Sequence, residues 1–213
     1  MADIFDEVAE DLRRDRALKA WKRYGGWVIG AAVAVVAGVG LHQGWTWWEG
    51  KARQERAQSY EAARGFLDAG DNASALGTFA NLSQGDDGFA VLARLQMAAA
   101  QISAGDKAAG IAAYQALATD QAVPETYRLL GGVMAVMHRA DDGDPDALLA
   151  ELAPALAQTS PWRFSAREVA AGIALRKGDT SAARQFLQAS ADDLAAPNTV
   201  RSRAGQLLQA IGQ

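Results

Sequence analysis

The sequence predicts an all-α protein in which one membrane-spanning helix near the N-terminus is followed by a series of helical repeats. Three observations predict this fold class. The 213 residues include 48 alanines, and alanine is the strongest helix former and a poor strand former. A run of 25 uncharged residues, 24–48, lies near the N-terminus. Beyond this run, Gly-Asp pairs and prolines recur at intervals of 35 to 38 residues.

Composition limits the classes of function. The chain has no cysteine and two histidines, His42 and His138. These counts exclude disulfides and thiolate metal sites, and they leave too few imidazoles for a three-histidine metal site. A net charge of −4 at pH 7 argues against general nucleic-acid binding. We therefore expect neither a soluble metalloenzyme nor a nucleic-acid-binding protein.

The first element along the chain is a charged tail, residues 1–23. Ile4, Phe5, Val8 and Leu12 share one face of a helix, and acidic side chains lie elsewhere around it. The acidic surroundings argue against contact with an anionic membrane. A short cytoplasmic helix that docks a partner and a solvated tail remain two open interpretations.

Residues 24–48 predict a transmembrane anchor. A helix over residues 27–48 would be about 33 Å long, at about 1.5 Å per residue, and the hydrocarbon core of a bilayer is about 30 Å thick. Aromatic side chains lie at both ends, as expected at the two membrane interfaces: Trp21, Tyr24 and Trp27 on one side, and Trp45, Trp47 and Trp48 on the other. A signal peptide would have a shorter apolar core followed by small residues at a cleavage site, so we expect an uncleaved anchor.

Flanking basic residues predict the orientation of this anchor. Six lysines and arginines precede the span and three follow it at similar range: Arg13, Arg14, Arg16, Lys19, Lys22 and Arg23, then Lys51, Arg53 and Arg56. Because the more basic flank stays in the cytoplasm, the N-terminus is predicted to be cytoplasmic. The remainder of the chain, residues 49–213, is then predicted to lie in the periplasm, tethered to a bacterial inner membrane.

Small residues define one face of the predicted anchor. Gly26, Gly30, Ala34 and Gly38 recur at four-residue spacing, which places them on the same side of a helix. Small residues allow two helices in lipid to approach closely. This face is therefore a candidate for packing against another membrane helix, and an alanine- and glycine-rich composition without such a role is the alternative.

Residues 49–213 carry a repeat signal. Gly-Asp pairs recur at 70–71, 105–106, 143–144 and 178–179, and prolines recur at 124, 161 and 197. Each glycine suits the residue after a helix, each aspartate suits the N-cap of the next helix, and each proline suits the first position of a helix. The pattern predicts first helices over 88–104, 124–139, 161–177 and 197–211, and second helices over 72–82, 107–119, 145–157 and 180–194.

The predicted second helices share a further pattern. A small residue precedes an aromatic residue by four positions in Ala75…Phe79, Gly110…Tyr114 and Ala182…Phe186, whereas the third unit has Leu148…Leu152. The period, this small-before-aromatic element and the prolines between units resemble a degenerate tetratricopeptide repeat. Because a thin helix pair cannot bury its own apolar face, such repeats are predicted to stack as a solenoid. An irregular alanine-rich bundle is the alternative.

No catalytic motif is evident in the repeats. Asp141, Asp142, Asp144 and Asp146 lack the glycine and the twelfth-position ligand of a calcium-binding loop, so a helix-capping loop is the better interpretation. We predict no catalytic, cofactor-binding or metal-binding residue, no enzyme activity and no small-molecule substrate. A possible basic stripe, formed by Arg94, Arg167 and Arg203 at similar first-helix positions, is a candidate surface for acidic or C-terminal groups of a partner. Ordinary salt bridges are the alternative.

The tail and anchor resemble a known family. Leu18-Lys19-Ala20-Trp21-Lys22-Arg23-Tyr24-Gly25 and the span after it resemble the ancillary SecYEG translocon subunit family, the YfgM-like proteins. The resemblance implies a periplasmic repeat domain held near the Sec translocon, where it works with membrane-bound periplasmic chaperones. The function it implies is a non-enzymatic scaffold in protein export or envelope biogenesis. A structural accessory subunit of another inner-membrane complex is the alternative.

Overall fold

The computed structural model describes the backbone of residues 3–212 and, within that range, the side chains other than those of residues 3–13, 15–17, 20 and 28. The described residues form nine α-helices and no strand, which confirms the predicted all-α class. The amphipathic face predicted at Ile4, Phe5, Val8 and Leu12 falls on side chains outside this description.

The helices follow the predicted repeat pattern closely. They are α1 (Asp3–Asp68), α2 (Asn72–Leu82), α3 (Gly88–Ser103), α4 (Lys107–Thr119), α5 (Glu125–Arg139), α6 (Pro145–Leu156), α7 (Arg163–Lys177), α8 (Thr180–Ala191) and α9 (Asn198–Ala210). The second helices α2 and α4 have the predicted bounds, and most other ends differ by one to three residues. The chain divides into two compact units, Met1–Glu55 and Arg56–Gln213.

The first unit contains the apolar part of α1. Within the described residues, this is the one helix long and apolar enough to cross a membrane, and its side chains are almost entirely exposed. Its length and composition are those that a membrane anchor or a signal sequence requires. No Asp, Glu, Lys or Arg interrupts residues 24–48.

In the second unit, consecutive helices from α2 to α9 pack against each other in chain order, and α5 also contacts α7. The last turns of α1 complete the first pair: Ala63 is buried with Ala75 and Phe79 of α2 and Ala93 of α3. Further along, Leu148 and Leu152 of α6 are buried with Ala166, Ala170 and Ile173 of α7. The core thus consists of many alanines together with one or two larger side chains from each helix.

Helix caps confirm the predicted role of all four aspartates of the Gly-Asp pairs and of three of the four glycines, since Gly143 lies beyond the C-cap Ala140 of α5. Four aspartates cap the second helices, and each side chain accepts a hydrogen bond from a backbone N–H in the first turn: Asp71, Asp106, Asp144 and Asp179. Gly70, Gly105 and Gly178 adopt positive φ angles of 79°, 96° and 83°, which glycine tolerates best. Gly143 has no positive φ. A Cβ there would lie 2.9 Å from Leu148 Cδ1, so close packing is the constraint at this position.

The predicted role of the prolines needs a correction. Pro124 and Pro197 are the N-cap residues of α5 and α9, with extended ψ angles of 140° and 147°, and Pro161 lies before the N-cap Trp162 of α7. None of these three is the first helical residue. Pro124 and Pro197 still mark the helix starts, because a residue with an extended backbone immediately before the helix keeps the preceding segment from joining it.

The aromatic register predicted for α8 is also wrong. Ala183 and Leu187 are buried there, whereas Ala182 and Phe186 are only partly buried. Leu187 lies eight residues after its N-cap aspartate, as Phe79, Tyr114 and Leu152 do after theirs. Distance from the cap, not aromatic character, therefore sets which side chain is buried in each second helix.

Two adjacent glycines in α5 offer a matched test of this packing. A Cβ on Gly131 would lie 2.8 Å from Leu117 Cδ2 and 2.9 Å from the Tyr114 carbonyl oxygen, whereas a Cβ on Gly132 would meet nothing closer than Ala118 Cβ at 3.9 Å. We expect Gly131→Ala to lower the free energy of unfolding by about 1–3 kcal/mol through overpacking. Gly132→Ala should be neutral or stabilising by about 0.5–1 kcal/mol.

The measurement is chemical denaturation of the full chain in detergent, followed by far-ultraviolet circular dichroism. Equal stabilities of the two variants would contradict the close approach of α4 and α5.

Candidate protein-interaction surfaces

The aromatic residues predicted at the membrane interfaces are all exposed. Each is more than half accessible: Trp21, Tyr24, Trp27, Trp45, Trp47 and Trp48. The Trp45 and Trp48 ring centroids are 5.8 Å apart, and Lys51 Nζ lies 5.9 Å from the Trp47 ring centroid. Such clusters of amphipathic side chains suit the headgroup level of a bilayer, and their interfacial position remains a prediction.

The small-residue face of α1 is also open. A Cβ added at Gly26, Gly30 or Gly38 would meet no atom of the described residues within 4 Å, and Ala34 is exposed. A shallow groove runs along Gly26, Trp27, Gly30, Ala31 and Ala34. Packing of this face against another helix remains a prediction.

Arg94 of α3 bridges two loops. Its Nη1 donates to Asp120 Oδ2 at 2.8 Å, and its Nε donates to the Ser83 carbonyl at 3.3 Å. Ser83 precedes α3 and Asp120 follows α4, so one side chain connects both ends of this helix pair. Hydrogen bonds from the Ala122 N–H and from Arg94 hold the pKa of the Asp120 carboxyl below its ordinary value.

Arg167 of α7 makes the corresponding bridge in the fourth unit and is 8% exposed. It donates to Gln158 Oε1 before α7 at 3.0 Å, to the Ala189 carbonyl in α8 at 3.0 Å and to Asp193 Oδ2 after α8 at 3.3 Å. The Ala195 N–H, with Arg163 and Arg167, lowers the pKa of the Asp193 carboxyl, although burial acts in the opposite direction. The arginine and aspartate are 26 residues apart in both bridges.

Arg203 differs from the other two arginines. Its side chain is 63% exposed and contacts Glu168 on α7, with N–O distances of 3.2 and 3.3 Å. Arg94 and Arg167 directly follow a buried alanine, Ala93 or Ala166, whereas Arg203 precedes the buried Ala204. The three arginines therefore do not share one register. Each of the three arginines forms a salt bridge within the chain, as the alternative to a partner-binding stripe predicts. Partner binding by these arginines remains a prediction.

The aspartate partners of Arg94 and Arg167 were not predicted from the sequence. Asp120 and Asp193 each lie four residues before a proline that caps the next helix, and each also accepts a hydrogen bond from the backbone N–H two residues on. The signal that would have found them is the shared Asp-x-x-x-Pro pattern at 120–124 and 193–197.

The third repeat unit, formed by α5 and α6, has no such bridge among the described residues. Gly131 of α5 packs against the preceding helix, α4, as Ala93 packs against α2 and Ala166 against α6. Arg94 and Arg167 each follow the buried alanine of their helix. The equivalent position in α5 is therefore Gly132. A cavity of about 320 Å³ opens there. It is lined by Ala118, Gln121, Glu125, Arg128, Leu129, Gly132, Val133, Glu151, Pro154 and Ala155. We call this cavity the Gly132 slot.

The aspartates between α5 and α6 act as cap and ion-pair partners. Asp144 caps α6, as the sequence predicts. Asp142 accepts a hydrogen bond from Lys107 Nζ at 2.8 Å, which lowers the pKa of its carboxyl, and Asp146 pairs with Lys177. Within the described part of the chain, no three acidic or histidine side chains are grouped to hold a metal ion.

The buried bridge should contribute far more to stability than the exposed pair. We expect Arg167→Ala to lower the free energy of unfolding by about 3 kcal/mol, because it removes the guanidinium from a largely buried ion pair with Asp193 and from its hydrogen bonds to Gln158 and the Ala189 carbonyl. Arg203→Ala is the matched control and should cost less than about 1 kcal/mol, since exposed pairs contribute little. Denaturant unfolding of both variants measures this difference, and a cost for Arg167→Ala no greater than for Arg203→Ala would show that the bridge is dispensable.

Comparison with known proteins agrees with the helical repeats. A family model described as a tetratricopeptide repeat-like domain matches residues 19–211. No curated protein and no solved structure matches the chain. The match begins before the apolar segment of α1 and extends into the end of the last helix, so it covers most of the chain. The chain therefore belongs to the tetratricopeptide repeat-like domain family.

Proposed function

We propose that this protein is a non-enzymatic scaffold for protein–protein interaction, anchored in a bacterial inner membrane by α1. The observation that carries the proposal is the combination of a repeat domain with an exposed apolar helix that has tryptophans at both ends. Domains of this family typically act as scaffolds, because stacked helix pairs provide an extended surface for partners. In this account the helix pairs of residues 56–213 stack as a solenoid.

The orientation in this proposal has the N-terminus in the cytoplasm and residues 49–213 in the periplasm. The support is the excess of basic residues before the span. Among these, the side chains of Arg14, Lys19, Lys22 and Arg23 are exposed. An anchor that remains attached would keep the repeat domain close to the membrane surface, where its local concentration near membrane-bound partners is high.

The proposed partners are the Sec translocon and the periplasmic chaperones that work with it. This assignment rests on the resemblance of residues 18–25 and the following span to the ancillary translocon subunit family. A structural accessory subunit of another inner-membrane complex is the second candidate. The open face at Gly26, Gly30 and Gly38 favours it, because docking through the anchor alone would need such a face.

Site-specific photo-crosslinking in cells tests both candidates. A photoreactive residue would replace exposed positions of the repeat domain, Ala153, Gly172 or Leu194, and in parallel Gly30 of the anchor. The proposal predicts that repeat positions crosslink to periplasmic chaperones, exported chains or translocon subunits, as mass spectrometry would identify them.

Two results would contradict parts of this proposal, the first its scaffold role and the second its orientation. Crosslinks from Gly30 alone, to another membrane complex, would favour the accessory subunit. Crosslinks from the repeat domain to cytoplasmic proteins alone would overturn the orientation.

A further inference from the structure

The Gly132 slot is a position that other repeats of the same chain fill with arginine. In the repeat formed by α3 and α4, Arg94 follows the buried Ala93, and in the repeat formed by α7 and α8, Arg167 follows the buried Ala166. In the third unit Gly132 follows the buried Gly131, and a Cβ on Gly132 would meet only ordinary contact distances. The backbone register is therefore retained, and only the side chain that would occupy the slot is missing.

The slot retains acceptors like those that bind Arg167. Gln121 lines it and lies three residues before Pro124, as Gln158, an acceptor for Arg167, lies three residues before Pro161. Pro154 also lines it and lies ten residues after its N-cap aspartate, which is the position of Ala189 in α8. The carbonyl of Ala189 is another acceptor for Arg167. Residues at two of the three acceptor positions of the Arg167 bridge thus line the slot.

The third acceptor of the Arg167 bridge is the carboxylate of Asp193. In the slot, carboxylates are present at other positions. Neither Ala157 nor Gln158, the two residues at the place of Asp193, carries a carboxylate. Glu125 and Glu151 line the slot instead. Glu151 pairs with Arg139, which is not among the lining residues, and no described residue forms an ion pair with Glu125.

The balance of charge in the slot favours a cation. Its lining contains two carboxylates and one guanidinium, that of Arg128, which donates to Gln121. The apolar remainder, including Leu129, Val133 and Pro154, suits the methylene stem of a long basic side chain. The volume of about 320 Å³ lies at the lower end of the range for ligand pockets, about 300–1,000 Å³.

We propose that the Gly132 slot receives an arginine side chain from a partner protein. The partner's guanidinium takes the place that Arg94 and Arg167 occupy in their own units, with Gln121, the Pro154 carbonyl and the carboxylates of Glu125 and Glu151 as acceptors. Its planar fork of donors matches carboxylates better than an ammonium does. This inference rests on the proposed scaffold function and specifies the chemistry of its partner.

A short peptide is the direct probe. The full chain, in lipid nanodiscs, would carry a fluorine label on Ala153→Cys, an exposed site next to Pro154, and the label is unique because the chain has no cysteine. The titrants are the capped tripeptide Ala-Arg-Ala and its citrulline analogue, which has nearly the same shape without the charge. We expect a saturable shift of the fluorine signal with arginine, at a dissociation constant of order 1 mM, and binding of citrulline weaker by about tenfold, or about 1.4 kcal/mol.

Two variants provide the controls. Gly132→Arg supplies the missing side chain in the chain itself and should abolish binding while the helical content is retained. Gly172→Arg adds the same side chain at an exposed helical glycine with open space around it, so it should bind the peptide like the parent. Equal binding of both peptides, unchanged binding by Gly132→Arg, or no saturable shift would each overturn the slot.

The two proposals fail in different ways. One outcome is that the repeat domain crosslinks to proteins in cells, and that Gly132→Arg changes neither these crosslinks nor the binding of the arginine peptide. The scaffold proposal then stands and the slot is excluded as the binding site. If the arginine peptide binds as expected but no repeat position crosslinks to a protein, the scaffold proposal fails and the slot remains a site for a basic side chain.

Discussion

The close approach of neighbouring helices is the constraint on which the repeat domain depends. Ala63, Ala75 and Ala93 are fully buried around Phe79, and a Cβ on Gly110 would overlap the Ile102 side chain. Small side chains allow this approach, but each contributes little apolar area to the core. The array is therefore sensitive to interactions outside that core, in the loops between helices.

Arginine supplies those interactions in two units. Arg94 and Arg167 each connect the loop before a helix pair to the loop after it, through an aspartate 26 residues further along the chain. The third unit lacks this link at Gly132, and a cavity takes its place. Its second helix, α6, also contains Pro154, which cannot donate a backbone hydrogen bond within the helix. One position thus separates the two repeats that are bridged by their own arginine from the repeat that retains a cavity.

Local chemistry explains which features the sequence could predict. Capping by Asp71 or Asp179 depends on adjacent residues, so the helix bounds were accessible from spacing alone. The buried position of Leu187 was missed because its neighbour Phe186 is aromatic, and only the distance to the cap resolves the register. The bridge from Arg167 to Asp193 joins residues on different elements, and the Gly132 slot exists only once α4, α5 and α6 are packed. Neither follows from the periodicity of a single helix.

An arginine bridge closes the repeat formed by α7 and α8, whereas the repeat formed by α5 and α6 has an open cavity in its place. Hydrogen exchange of the full chain in nanodiscs, read by mass spectrometry of peptides, tests this difference directly, because exchange reports local opening of each helix. Amides of α6 should exchange faster than those of α8, whose Ala189 carbonyl and following loop are bonded to Arg167. Protection of α6 equal to or greater than that of α8 would contradict the account.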